Sequence, residues 1–150
     1  MFRKSEVSQQ EDFFGSFDFN FSSRKGRELN NPNSWWDLFY KYVTCKIDEA
    51  LFAGLYSESM GRPNAPIRLL VAMMILKEGF GWSDGKLFEE CNFNILVMKA
   101  LGLSGLNDTI PSESTYYEFK QSLYRHQVEK GADLIIQCFQ SKFSINWGTE

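Results

Sequence analysis

Residues 66–90 read PIRLLVAMMILKEGFGWSDGKLFEE, and the pattern of this stretch decides the fold class. From Pro66 to Phe80 the only polar side chains are Arg68, Lys77 and Glu78, so a helix here is apolar nearly all round. Such a helix has to be enclosed by other elements, which places it in the middle of a domain. The apolar run from Leu69 to Leu76 is closed by Lys77 and Glu78 and is too short to span a bilayer. Glycines at 79, 81 and 85 then punctuate a junction, and Ser83 stands where a hydroxyl caps a second helix whose inward face is Leu87, Phe88 and Cys91.

Upstream lies a Gly61-Arg62-Pro63 corner followed by Pro66. Gly61 takes a backbone angle other residues resist, Pro63 keeps Arg62 extended, and Pro66 suits the first helical turn, where its missing N–H costs nothing. Asp48 marks an earlier helix start, with Ile47 and Phe52 spaced to clamp it, running to about Tyr56. Ser34 is expected to cap a helix bearing Trp35, Leu38, Phe39 and Tyr42 on one face, with Asp37 favouring its positive end. Residues 1–33 are polar and turn-rich and read as an extended or partly ordered N-terminal arm. Within that arm Phe17, Phe19 and Phe21 alternate with Asp18 and Asn20, the period of a short strand. The rings of this cluster, which also includes Phe13 and Phe14, are expected to fold back on the helical body.

Downstream, Asn92 to Asn94 separate another short helix that ends before Gly102, and the loop GLSGLNDTIP leads to Ser112. Tyr116, Phe119 and Leu123 then repeat at helical spacing, which turns Ser114, Tyr117, Glu118, Lys120 and Gln121 outward. Val128, Ala132, Ile135 and Phe139 continue a helical stripe past Arg125 and His126, with Gly131 weakening its middle. Phe143, Ile145 and Trp147 alternate, so a strand is expected to begin there. These signals predict an all-α protein: a compact bundle of about six short helices with a helix-turn-helix-like part, body 34–142, and a tail over 143–150.

Composition narrows the chemistry. Sixteen Lys and Arg against 19 Asp and Glu give a formal charge of −3, so no global basic field points to nucleic acid and any such role needs a local patch. One patch exists: residues 22–46 hold Arg24, Lys25, Arg27, Lys41 and Lys46 against Glu28 and Asp37. Cys45, Cys91 and Cys138 are widely spaced, odd in number and without neighbouring His, as expected of reduced, buried thiols in a cytoplasmic protein. The N-terminus lacks the apolar core and small-residue cleavage site of a secretory signal. His126 is the single histidine and sits in a polar stretch, while adjacent Glu89 and Glu90 point about 100° apart on a helix. No GxGxxG or GxxxxGK[ST] loop occurs. We therefore assign no catalytic residue, no metal ligand and no cofactor from the residues alone.

An ordered series of motifs goes further. LYSESMGRPNAPIRLLVAMMILKEGFGWSDGKLFEE, followed by PSESTYYEFKQSL, resembles the N-terminal domain of InsH-like insertion-sequence transposases. The matching positions are Leu55, Tyr56, Gly61, Arg62 and Pro63, then Leu69 and Leu70, then Gly81, Ser83 and Asp84, and last Ser114, Thr115, Phe119 and Leu123. The resemblance covers roughly residues 35–125. It implies a domain that precedes an RNase H-like catalytic domain, in which three carboxylates bind two divalent metals for strand cleavage and transfer. Divalent metal is therefore expected only in that absent domain, and this 150-residue chain is expected to be non-catalytic, a fragment or stand-alone remnant.

The implied partner is double-stranded DNA at the element's terminal inverted repeats, with a second copy of the chain as a further partner and no membrane. Ser114, Thr115, Tyr117, Lys120 and Gln121 are the residues expected to face DNA. Gln121 suits adenine, while Lys120, Arg125 and the Arg24, Lys25 and Arg27 cluster suit phosphates. Phe119 is followed by Lys120, Gln121 and Ser122 where related domains often carry several arginines, so phosphate contacts are fewer and the salt dependence shallower. The rival expectation is an interaction module built on the phenylalanine arm and the Val128 to Phe139 helix.

Overall fold

The computed structural model describes Phe2, Lys4 and residues 24–56, 65–103 and 108–143, with side chains through residue 140. Seven α helices and two 3-10 segments make up the described residues, with no strand among them. In chain order they are α1 (Arg24–Leu29), α2 (Trp35–Tyr42), the 3-10 segments Thr44–Lys46 and Glu49–Leu55, α3 (Ile67–Phe80), α4 (Asp84–Phe93), α5 (Ile95–Leu101), α6 (Glu113–Lys130) and α7 (Leu134–Phe143). The all-α expectation holds, with more and shorter elements than the sequence pattern resolves.

Helix α3 is the hub. Ile67, Leu70, Val71, Ala72, Met73 and Leu76 are all buried. Four of these are consecutive, so more than a full helical turn is enclosed on every side, as its near-uniform apolarity requires. Pro66 immediately precedes this helix, its carbonyl accepting from Leu70 N–H, and Gly81 ends it at φ 68°. Trp82 N–H closes the turn on the Lys77 carbonyl at 3.0 Å, so α4 leaves α3 after a three-residue link. As expected, Ser83 caps α4, accepting from Lys86 N–H at 3.2 Å.

Around this hub, α2 lies against α5, and the buried Thr44 hydroxyl donates to the Ala100 carbonyl at 2.7 Å. Phe88 of α4 meets Tyr116 of α6 edge-on at 5.5 Å, and Phe52 of the Glu49–Leu55 segment meets Phe119 of α6 at 6.0 Å. The same 3-10 segment receives α7, where Cys138 Sγ accepts from Asp48 N–H at 3.3 Å. Ile47 and Phe52 are both buried, as the clamp spacing predicts, although the element they bracket is 3-10 and not α.

Several expectations change. Ser34 precedes α2 but caps nothing with its side chain; the hydroxyl turns back and donates to the Asn31 carbonyl at 2.7 Å, stabilising the preceding turn instead. Helix α4 runs through Asn92 to Phe93, so Asn94 alone separates α4 from α5, capping the latter through Leu96 N–H. Gly131 does not weaken a helix interior: at φ 63° it ends α6, its N–H on the Gln127 carbonyl at 2.8 Å, and Asp133 starts α7 by accepting from Ile135 and Ile136 N–H. A glycine reaches that left-handed angle without a Cβ penalty, so the chain stops there. The helical phase restarts after the break. Leu134 and Cys138 are therefore the buried residues of α7, while Val128, expected in a continuous stripe, is exposed. Helix α7 also continues through Phe143, where a strand was expected. The phenylalanines at 13, 14, 17, 19 and 21, the Gly61-Arg62-Pro63 corner, and Ile145 and Trp147 lie outside the described residues.

Thiol chemistry gives a direct check on this packing. None of the three cysteines forms a disulfide; Cys91 and Cys138 are buried and Cys45 is half-buried. Burial, helped by nearby Glu90, pushes the Cys91 thiol from 9.0 up to about 12. The folded chain therefore keeps that proton above pH 9 while the unfolded chain releases it, and stability falls as pH rises through this window. Iodoacetamide at pH 8.5 is expected to modify Cys45 first in the native protein, with Cys91 and Cys138 reacting only on unfolding, as read by mass spectrometry.

Candidate nucleic-acid interface

Helix α6 presents the residues singled out by sequence. Ser112 caps it, accepting from Thr115 N–H at 3.3 Å, and its hydroxyl also lies 2.9 Å from Thr115 Oγ1 and 3.0 Å from Ser114 Oγ. The Ser114 and Thr115 hydroxyls are thus gathered around the cap at the helix start, where unpaired backbone N–H groups favour an anion. Only Tyr116 and Phe119 of the 18 residues are buried, so the helix rests on two rings and leaves its outer face to solvent. Tyr117, Gln121 and Arg125 follow one another along that face at intervals of four, all exposed.

Tyr117 and Lys120 are tied to the α3–α4 junction. The Tyr117 hydroxyl donates to Asp84 Oδ2 at 3.1 Å, and Lys120 Nζ lies 3.9 Å from Asp84 Oδ1 and 5.3 Å from the centre of the Tyr116 ring. Lys77, from α3, approaches the same oxygen at 3.6 Å. The hydrogen bond to Asp84, with some desolvation, raises the Tyr117 hydroxyl above its ordinary pKa. Gly81, Ser83 and Asp84 therefore do two things: they shape the link between α3 and α4, and through Asp84 they reach α6.

The basic cluster sits on another element. Arg24, Lys25 and Arg27 are exposed on α1, with Arg24 paired to Glu28 at 3.1 Å. Their helix is anchored through its last turn, since the Leu29 carbonyl accepts from Trp36 Nε1 at 3.1 Å and from the buried Lys99 ammonium. Burial lowers the Lys99 pKa, partly offset by Asp37. Helix α1 is thus held by α2 and α5, and α6 by α4 and the Glu49–Leu55 segment.

The sequence pattern leaves out Tyr124 and assigns Val128 to the stripe with Ala132, Ile135 and Phe139 instead of to this face. Both are exposed and, with Tyr117, Lys120, Gln121 and Arg125, line a shallow hollow of about 590 Å³ along α6. Their signal was present: positions 117, 121, 124 and 128 form an i, i+4, i+7, i+11 series on one helical face. The Asp84–Tyr117 contact had no such signal, because it joins positions 33 residues apart. A second hollow of about 610 Å³ lies between α2 and α3, lined by Trp35, Leu38, Phe39, Tyr42, Ile75 and Phe80 among others. Trp35 meets Phe80 at 5.2 Å and Phe80 stacks on Trp82 at 4.8 Å, forming an exposed aromatic ridge beside it.

His126 Nδ1 lies 3.3 Å from the Ala132 carbonyl, across the Gly131 turn. Among the described residues no group of three or more His, Cys, Asp or Glu side chains converges to hold a metal, and no helix is long and apolar enough to cross a membrane.

No curated protein and no solved structure matches the chain. A family match does exist: residues 24–122 match the Transposase domain family (DUF772), beginning at the first residue of α1 and ending within α6. Since the match takes in α1 through α5 and the part of α6 that carries Tyr117, Lys120 and Gln121, and spans well over half of the chain, this protein belongs to the transposase domain family DUF772.

Proposed function

We propose that this domain binds the ends of an insertion element on behalf of an InsH-like transposase, with α6 as the reading helix. The observation that carries the reading is the 18-residue α6, seated on Tyr116 and Phe119 with Leu123 packed beside them, its outer face open. At 1.5 Å per residue it is about 27 Å long, and an α helix fits the major groove of B-DNA. Gln121 pairs with the N6 and N7 edge of adenine, Tyr117 and the Ser114 and Thr115 hydroxyls meet the backbone or base edges, and Lys120 and Arg125 contact phosphates. Arg24, Lys25 and Arg27 on α1 supply further backbone contacts. Helix α3, the tight junction at 81–83 and the later helix α6 make up the helix-turn-helix-like part, working on cytoplasmic DNA. Strand transfer and its divalent metals fall, in this reading, to the RNase H-like domain that the resemblance implies.

Attraction to DNA is local and weak in this reading. Along α6, Lys120, Arg125 and Lys130 are balanced by Glu113, Glu118 and Glu129. The salt dependence is accordingly shallow, since each neutralised phosphate contributes a slope of about −0.9.

The α2–α3 hollow supports a second, compatible reading, a contact with another protein chain such as a second copy. Its exposed apolar side chains, Trp35, Leu38, Tyr42 and Phe80, are of the type that forms interface cores.

Fluorescence anisotropy with the element's own end and with scrambled duplex, at two salt concentrations, tests the first reading. We expect the end to bind at least about tenfold more tightly. Gln121→Ala, at an exposed position, is expected to remove about 1–3 kcal/mol of that discrimination without loss of helicity. Equal or absent binding by a folded chain would sink end recognition, and self-association by sedimentation would then favour the interaction module.

A further inference from the structure

Asp84 is a carboxylate that reaches the proposed reading face from another helix, and its surroundings are unbalanced. Its Oδ1 is shut off from solvent and accepts no hydrogen bond, yet two ammonium groups approach it, Lys77 at 3.6 Å and Lys120 at 3.9 Å. Both distances exceed the roughly 2.7–2.9 Å of a charge-assisted hydrogen bond. Lys77 also faces Glu78 at 3.7 Å, so it has a second anion to turn to, whereas Lys120 otherwise lies over the Tyr116 and Tyr117 rings. Asp84 Oδ2, by contrast, holds the Tyr117 hydroxyl at hydrogen-bonding distance. One carboxylate thus fixes a tyrosine firmly and a lysine loosely, both on the outer half of α6.

We propose that Asp84 is an internal competitor of the DNA backbone for Lys120, keeping the affinity of the domain for arbitrary duplex low. This rests on the DNA-binding reading of α6. A phosphate oxygen that approaches Lys120 must displace Asp84 from it. Because the Lys120–Asp84 pair lacks a hydrogen bond the exchange is shallow, and because Tyr117 keeps its own bond to Oδ2 the helix face stays in place while the lysine moves. Lys120 cannot serve both anions in full, so DNA gains only the difference between the two partners.

Asp84→Asn separates the two functions of the side chain, since the amide oxygen still accepts from Tyr117 while the charge is removed. The competitor role predicts that scrambled duplex binds Asp84→Asn roughly two- to fivefold more tightly, the range of a partly exposed ion pair. The log–log salt slope steepens by up to about 0.9 as Lys120 engages one phosphate fully. Both changes should vanish in Asp84→Asn combined with Lys120→Gln. Glu89→Gln, which removes the same charge from an exposed pair with Lys86 at 3.5 Å, should leave the slope unchanged. Equal gains in Glu89→Gln and Asp84→Asn, or a gain that survives Lys120→Gln, would show a general charge effect and overturn the proposal.

A measurement without DNA keeps this apart from the function itself. In thermal unfolding of the full chain, the shifts from Asp84→Asn and Lys120→Gln should be non-additive. Additive shifts would overturn the coupling whatever DNA does. Coupled shifts with no duplex binding by any variant, even at low salt, would overturn both the DNA reading and the competition built on it.

Discussion

Phe52→Ala is expected to cost about 3–5 kcal/mol of folding stability, a large fraction of the roughly 5–15 kcal/mol that holds a domain together. Phe52 has no exposed surface and belongs to a 3-10 segment with too few backbone bonds to stand by itself. Its ring lies 6.0 Å from that of Phe119, so it is one of the places, with Phe88, where α6 rests on the body. The loss therefore combines the transfer of a large apolar side chain with a cavity that the surrounding α3, α6 and α7 close only partly. Urea unfolding followed by circular dichroism reads the effect directly. Leu51, next in sequence and 39% exposed, is the control: Leu51→Ala should cost no more than about 1 kcal/mol, because little burial is lost. Comparable losses at the two positions would mean that the Glu49–Leu55 segment does not pack as described.

Gly102→Ala is the second large effect, expected at about 2–5 kcal/mol. Gly102 ends α5 at φ 77°, where an L side chain costs about 1–2 kcal/mol. A Cβ built there runs into Cε2 of Tyr40, a ring that is 6% exposed and enclosed between α2 and α5, so the ring or the helix end must shift. Overpacking of that kind adds about 1–3 kcal/mol. Gly131→Ala isolates the backbone term, since Gly131 has a similar φ of 63° with nothing within 4 Å of its would-be Cβ. Its cost should therefore stay near 1–2 kcal/mol. The difference between the two midpoints in chemical denaturation measures the Tyr40 clash, and equal values would show that the ring yields freely.

The two glycines also show where the sequence could be read and where it could not. Both end helices, a role that a glycine after a helical stretch signals locally. The sequence marks Gly102 as a terminator, whereas Gly131 reads as a weak point because apolar residues on both sides fit one continuous period. Only the observed break reveals two phases, with Val128 outside and Leu134 and Cys138 inside. Ser34 illustrates the same limit: its type and position suit a cap, but a hydroxyl with a carbonyl three residues back has another bond to make. The outer face of α6 was legible through Tyr117, Lys120 and Gln121, and incompletely so, since Tyr124 and Val128 share it.

What the sequence by itself determined is the local and periodic part. A stretch apolar on every side has to be surrounded, which makes α3 the hub, and Ser83 and Ser112 announce their helices because a cap needs only neighbours along the chain. The ordered motifs from Leu55 to Leu123 carried the family. Tertiary structure alone decided the rest: the seat of α6 on Phe52 and Phe88, the burial of Lys99 against the end of α1, and the meeting of Asp84 with Tyr117 and Lys120. The physical reason is range. Caps, breaks and helical faces arise from forces between residues a few positions apart, while a contact across 33 positions exists only after the apolar core has brought two helices side by side.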